Sequence, residues 1–132
     1  MINVDYGMTR TFPKTTLPKV RERITAALKN EGFGILTEID ISATLKSKID
    51  VDFRPYVILG ACNPRLAHQA LSHDLGIGLL LPCNVVLAQT DSGDVEVSIA
   101  KPRAMFEVVH DDTLEPLVMQ ATEKLTRALE SA

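Results

Sequence analysis

FRPYVILGACNPRLAHQALSHDLGIGLLLPCNVV, residues 53–86, holds two nearly continuous apolar runs on either side of one short helical pattern. Tyr56 to Cys62 shows no polar alternation, the mark of a strand covered on both faces. Pro55 marks its entry, because proline cannot donate inside a ladder. Asn63 then caps a helix, and Pro64 takes the first helical position, where a missing N–H costs nothing. Leu66, Ala67, Ala70 and Leu71 form the buried stripe of that helix to about Asp74, with Gly76 and Gly78 ending it. Leu79 to Gln89 reads as the next strand, apolar on both faces, with Pro82 implying a bulge or an unpaired edge position. The result is the core of a small α/β domain in which each apolar run carries a Cys-Asn pair, Cys62-Asn63 and Cys83-Asn84.

Toward the N-terminus, Gly32 to Ile39 is a short strand, followed by a short helix capped by Asp40 and Ser42 that reads as an insertion. Before it, Leu17, Val20, Ile24, Ala27 and Leu28 recur at helical spacing to about Asn30, with Gly32 as the left-handed residue that closes the helix. Asn3 to Phe12 alternates loosely and predicts a half-solvated first strand. Toward the C-terminus, Thr90 to Asp94 is a hairpin turn that sends Val95 to Ile99 back antiparallel with a polar face. After an irregular or short helical segment from Lys101 to Val109, Asp111 to Thr113 cap a long helix. Leu117, Val118, Ala121, Leu125, Ala128 and Leu129 line one face of it, and Glu123 and Arg127 form an exposed pair.

These elements fit one domain of 132 residues, 45% of them apolar. With 14 basic against 17 acidic residues, no Trp and 5% aromatics, the chain has neither the positive field nor the ring-studded basic stripe that collects nucleic acid. The longest apolar run is interrupted and falls short of the roughly 20 residues a bilayer helix needs, so no membrane partner is expected. The first residues lack the features of an export signal, making the cytoplasm the expected compartment. There, two cysteines are free thiols, metal ligands or redox groups.

Three long strings resemble the domain of unknown function 302 family: GFGILTEIDISATLK (32–46), DFRPYVILGACNPRLAHQAL (52–71) and GIGLLLPCNVVL (76–87). The resemblance covers essentially the whole chain. It implies a two-layer α+β fold in β-α-β(4)-α order, with a single mainly antiparallel sheet, two main helices on one face and a short inserted helix. That layout is similar to the half-repeat of the TATA-binding protein. It also implies a homodimer, and no established reaction, substrate or cofactor. A homodimer agrees with the unalternating strands, since a face left bare by the helices needs another cover.

Candidate ligand-binding residues are Cys62, Asn63, Cys83, Asn84 and Arg54. Cys62 precedes a helix N-terminus, where the dipole favours a thiolate. If the strands bring Cys83 beside it, the pair could ligate a soft metal or act as a redox couple, with Asn63 and Asn84 orienting ligands. The alternative is two small core hydrophobes and an asparagine that only caps. Two thiols fall short of the four ligands of a closed zinc site, and His68 and His73, about 140° apart on one helix, cannot complete it. Arg54 could hold an anion or pair with Asp50 or Asp52. No hydrolase or phosphate-loop motif appears. Three function classes follow: a homodimeric binding module for a small ligand or soft metal, a thiol-dependent redox enzyme using Cys62 and Cys83, and a scaffold with no ligand site.

Overall fold

The structure, a computed structural model, describes residues 2–132. Five strands, β1 (Gly7–Phe12), β2 (Gly34–Asp40), β3 (Tyr56–Cys62), β4 (Cys83–Gln89) and β5 (Val95–Ala100), form one sheet in the order β1-β5-β4-β3-β2. Every neighbouring pair is antiparallel. Helices α1 (Leu17–Asn30) and α5 (Glu115–Ser131) carry the apolar stripes that cover one face of it. Between the strands lie α2 (Ile41–Ile49), α3 (Pro64–His73) and, after β5, α4 (Pro102–Phe106). This is the two-layer α+β arrangement that the resemblance implies.

The local signals act as their chemistry requires. Gly32 takes φ 83° just past α1, a region that costs glycine nothing. The Asp40 carboxylate accepts from the Ala43 amide at 2.9 Å to start α2, which buries none of its residues. The Asn63 side chain accepts from Leu66 N–H at 3.3 Å, with Pro64 as first residue of α3. Val20, Ile24, Leu28, Leu125 and Ala128 pack on Val57, Leu59, Val85, Leu87, Val97 and Ile99, all buried. Each large aliphatic side chain so buried contributes about 1.5–3 kcal/mol. A smaller cluster of Ala70, Ile77 and Leu114 fastens α3 to the segment leading into α5.

Four expectations change. Leu75–Leu80 is a 3-10 turn, and β4 starts only at Cys83, so Pro82 precedes the ladder and needs no bulge. The first strand begins at Gly7, because residues 2–6 leave the ladder and lie against the sheet face. The polar face of β5 is buried: Glu96 is 4% exposed and accepts from Ile2 N–H, and Ser98 shares a 3.0 Å hydrogen bond with Thr9. Arg127 reaches across to Glu31, just past the end of α1, with its Nη2 2.9 Å from the carboxylate, rather than along its own helix to Glu123.

Burial in β3 alternates despite its unbroken apolar sequence. Val57, Leu59 and Ala61 are buried under the helices, whereas Tyr56, Ile58 and Cys62 are only half-buried. With both main helices on one side, the other side has only the N-terminal residues and short connections to cover it.

Candidate functional site

Strand alternation determines what the helix-free face presents. Its central rows carry Tyr56, Ile58 and Gly60 from β3, Asn84, Val86 and Ala88 from β4, and Glu96, Ser98 and Ala100 from β5. Over part of this floor lies a groove of about 790 Å³. Ile2, Val4 and Tyr6 line it from the N-terminal segment, Phe53, Arg54 and Tyr56 from the start of β3, and Met105 from α4. Such a volume suits a small ligand, for which pockets run from roughly 300 to 1,000 Å³.

The walls are ordered by identifiable contacts. Lys101 N–H donates to the Tyr6 carbonyl at 2.8 Å, and Ile2 N–H to the buried Glu96 carboxylate at 2.5 Å, holding the N-terminal segment down. Phe53 and Tyr56 meet edge to face with centroids 6.0 Å apart. Arg54 is taken by neither Asp50 nor Asp52. It lies 3.4 Å from Asp91 and donates to the Gln89 carbonyl at 3.3 Å, while Lys46 pairs with both aspartates.

The candidate residues fall mainly into two places, although Cys83 and Asn84 also share the lining of a cavity of about 210 Å³ at the start of β4. Asn84 and Arg54 line the groove, with Asn84 exposed on its floor. Cys62, Asn63 and Cys83 line a narrow apolar cleft of about 40 Å³ between α3, α5 and the ends of β3 and β4. Within the ladder Cys83 stands opposite Ala61, so Cys62 has the opposite parity along β3. Among the described residues no group of three or more His, Cys, Asp or Glu side chains gathers to hold a metal ion.

Nor does the helix start activate a thiol. Burial raises the Cys62 pKa above its ordinary value, contrary to the dipole expectation. Asn63 satisfies a free first-turn amide of α3, its side chain accepting from Leu66 N–H, while its carbonyl accepts the first intrahelical bond from Ala67 N–H. Cys83 is pushed up to about 11, first by burial and then by the neighbouring Cys62. At pH 8 about one Cys83 in a thousand is then a thiolate. Maleimide labelling at that pH should modify Cys62 first and reach Cys83 at a useful rate only in denaturant; equal native rates would contradict this.

Three other polar groups have structural work. Glu38 forms a two-pronged pair with Arg21 of α1 at 2.5 Å, and Asp40 caps α2, so they do not act as a carboxylate pair. His73 shares its Nε2 with Asp111 Oδ2 at 2.5 Å and Thr113 Oγ1 at 2.9 Å. A hydrolytic triad uses both ring nitrogens, so this arrangement is instead a clasp between α3 and the start of α5. Hydrogen bonds from the Thr113 hydroxyl and then His73 hold the Asp111 carboxyl down at about 2. Because the folded value lies below the unfolded one near 4, this stabilisation is present at neutral pH and is lost as pH falls toward 2. Thermal melts between pH 5 and pH 2 should show a steeper acid decline for the native chain than for Asp111→Asn; parallel curves would remove the clasp from the acid response.

A family model described as "Domain of unknown function DUF302" matches residues 8–132. The chain belongs to the DUF302 family. The crystal structure of an uncharacterized conserved DUF302 protein from Bacillus stearothermophilus has a TM-score of 0.88 to it at 29% identity. That likeness covers 97% of this chain and 98% of the other. No curated protein matches. The DUF302 fold is therefore shared over nearly the whole chain. Among the described residues, no helix of this DUF302 chain is long and apolar enough to cross a membrane.

Sequence reasoning named Asn84 and Arg54 as candidates but did not anticipate the groove that they line. Its walls come from residues 2–6, whose loose alternation predicts a paired strand rather than a flap over the sheet, and from 53–56, where a connection runs into β3. One signal was legible: both tyrosines and Phe53, three of the chain's six Tyr and Phe residues, fall in these stretches.

Proposed function

We propose that this DUF302 chain is a homodimeric binding module that holds a small molecule in the groove on the helix-free face of its sheet. The groove itself carries the reading: about 790 Å³ lined by aromatic and aliphatic side chains, with a few polar groups placed among them. The apolar cleft at Cys62, Asn63 and Cys83, at about 40 Å³, has room for little more than a water or two. The soft-metal and thiol-redox readings lose support with it, since burial disfavours both thiolates and the thiols lack further ligands among the described residues.

Accessible area supports the dimer. The chain exposes 7893 Å², against about 6,900 Å² for a folded monomer of its mass. The excess, on the order of 1,000 Å², is close to what one partner contributes to a standard interface. Tyr6, Ile39 and Phe53, each about half exposed, supply apolar contacts at the margins of the open face. Two copies opposed there would wall in the groove, and the scaffold reading has no use for such a chamber.

A fragment mixture added to the isotope-labelled protein tests the site, with light scattering on the same sample. Amide shifts clustered on Val86, Ala88, Ser98 and Ala100 in a dimer are expected. Shifts clustered around Cys62 and Cys83 would move the site to the cleft. A monomer at low micromolar concentration would remove the assembly.

A further inference from the structure

Every charged group lining the groove is already engaged. Arg54 is held by Asp91 and the Gln89 carbonyl, and Glu96 accepts from Ile2 N–H. A charged ligand would have to compete with these contacts, so the lining favours a neutral one. Asn84 is different: its exposed amide makes no hydrogen bond with the other described residues, leaving both its carbonyl and its NH2 available on the floor.

The rings lie at two ends of that floor. Tyr56 stands opposite Ala88 in the ladder, next to Phe53. Tyr6 precedes Gly7, which pairs with Ala100, and so flanks the row of Asn84. Along β4, Asn84 and Ala88 are four residues apart, about 13 Å at the strand's rise. Between them the floor is low, with Val86, Ser98 and Ala100 where bulkier side chains would fill the space. A low floor of that length, with a ring at either end and one unspent amide, matches a flat molecule of two or three fused rings.

We infer that the groove takes an uncharged, planar heteroaromatic molecule lying along β4, flanked by Tyr56 and Tyr6, with its polar edge on the Asn84 amide. This rests on the groove being the ligand site and goes further by naming the ligand's chemical class. The two rings supply apolar contact at its ends, which tolerates variation in the ligand, and the amide selects for a hydrogen-bonding edge.

The chain provides its own reporter, since it has no Trp and both of its tyrosines line the groove. The test uses lumichrome, a neutral three-ring heteroaromatic, with sodium octanoate as a flexible aliphatic comparison, followed by tyrosine fluorescence and amide shifts. Saturable quenching by lumichrome with shifts at Val86 and Ala88 is expected. Tyr56→Leu and Asn84→Leu should each weaken binding about tenfold, in line with the contribution of one aromatic or bidentate contact. Circular dichroism of each variant checks that its fold is retained. Octanoate shifting the groove amides while lumichrome does not would overturn the ligand class and leave the groove standing as a site. Silence from both ligands would overturn the class and the groove together. Lumichrome binding that both variants leave unchanged would overturn the placement along β4.

Discussion

Gly60→Ala is expected to lower the unfolding midpoint by about 10 °C. Gly60 is buried at the middle of β3 on the groove side, flanked by Thr37 of β2 and Asn84 of β4. A Cβ placed there would run into Thr37 Oγ1 and would come within 2.7 Å of Pro82 Cγ. The hydroxyl can rotate away, but the pyrrolidine ring cannot. The added methyl must therefore push β3 from Pro82 or force the ladder apart, an overpacking cost of roughly 2–3 kcal/mol. Thermal melts followed by circular dichroism measure it directly. Adding Thr37→Ala should recover only part of the loss, because Pro82 remains. An unchanged midpoint for the single variant would mean that Pro82 moves freely and that this end of the sheet is not packed as described.

The second large effect is expected where β1 meets the end of α5. Arg10 on β1 donates from Nη1 to the carbonyls of Leu129, Glu130 and Ala132, at 2.8, 3.1 and 3.0 Å. These are carbonyls that the last turn of a helix cannot satisfy itself, and a cation there also meets the negative end of the dipole. Its guanidinium lies 4.3 Å from the centroid of the Phe12 ring, against which Arg23 also sits at 4.8 Å. Charge-assisted hydrogen bonds contribute about 1.5–3 kcal/mol, and a partly exposed cation–π contact adds about 0.5–1. Arg10→Ala should therefore cost about 2 kcal/mol in urea unfolding with no change in denaturant slope, and should speed hydrogen exchange in the last turn of α5. Arg10→Lys keeps the charge but loses the planar fork, so it should recover less than half. Equal stability for Arg10→Ala and the native chain would show that the end of α5 is held by its apolar stripe alone.

The parts of the fold legible in the sequence were those set by local chemistry. Asn63-Pro64 started α3 and Asp40 started α2 because caps act within three residues of themselves. The stripes of α1 and α5 named their buried residues because a helix has one period and one covered side. What stayed illegible depended on partners distant in sequence. An apolar strand such as β3 looks doubly covered whether its second face meets helices, another chain or a ligand, and here Tyr56 and Ile58 are left half-buried. Glu96 and Ser98 read as solvent-facing because nothing near them in sequence reveals that residues 2–6 will cross over them. For the same reason, four of the five candidate site residues came from a repeated dipeptide, and the ladder then set Asn84 on one face and Cys83 on the other.

The pairing of β1 with β5 also constrains how the chain can be made. Thr9 bonds Ser98, 89 residues further on. At roughly 5 to 20 residues per second, a ribosome needs roughly 4 to 20 s to supply that partner. β1 therefore leaves the exit tunnel well before the strand it pairs with. During that interval its unpaired backbone stands open to chaperones and to neighbouring nascent chains, so slower decoding of the stretch between residues 12 and 95 should lower the yield of folded protein more than slowing after residue 100.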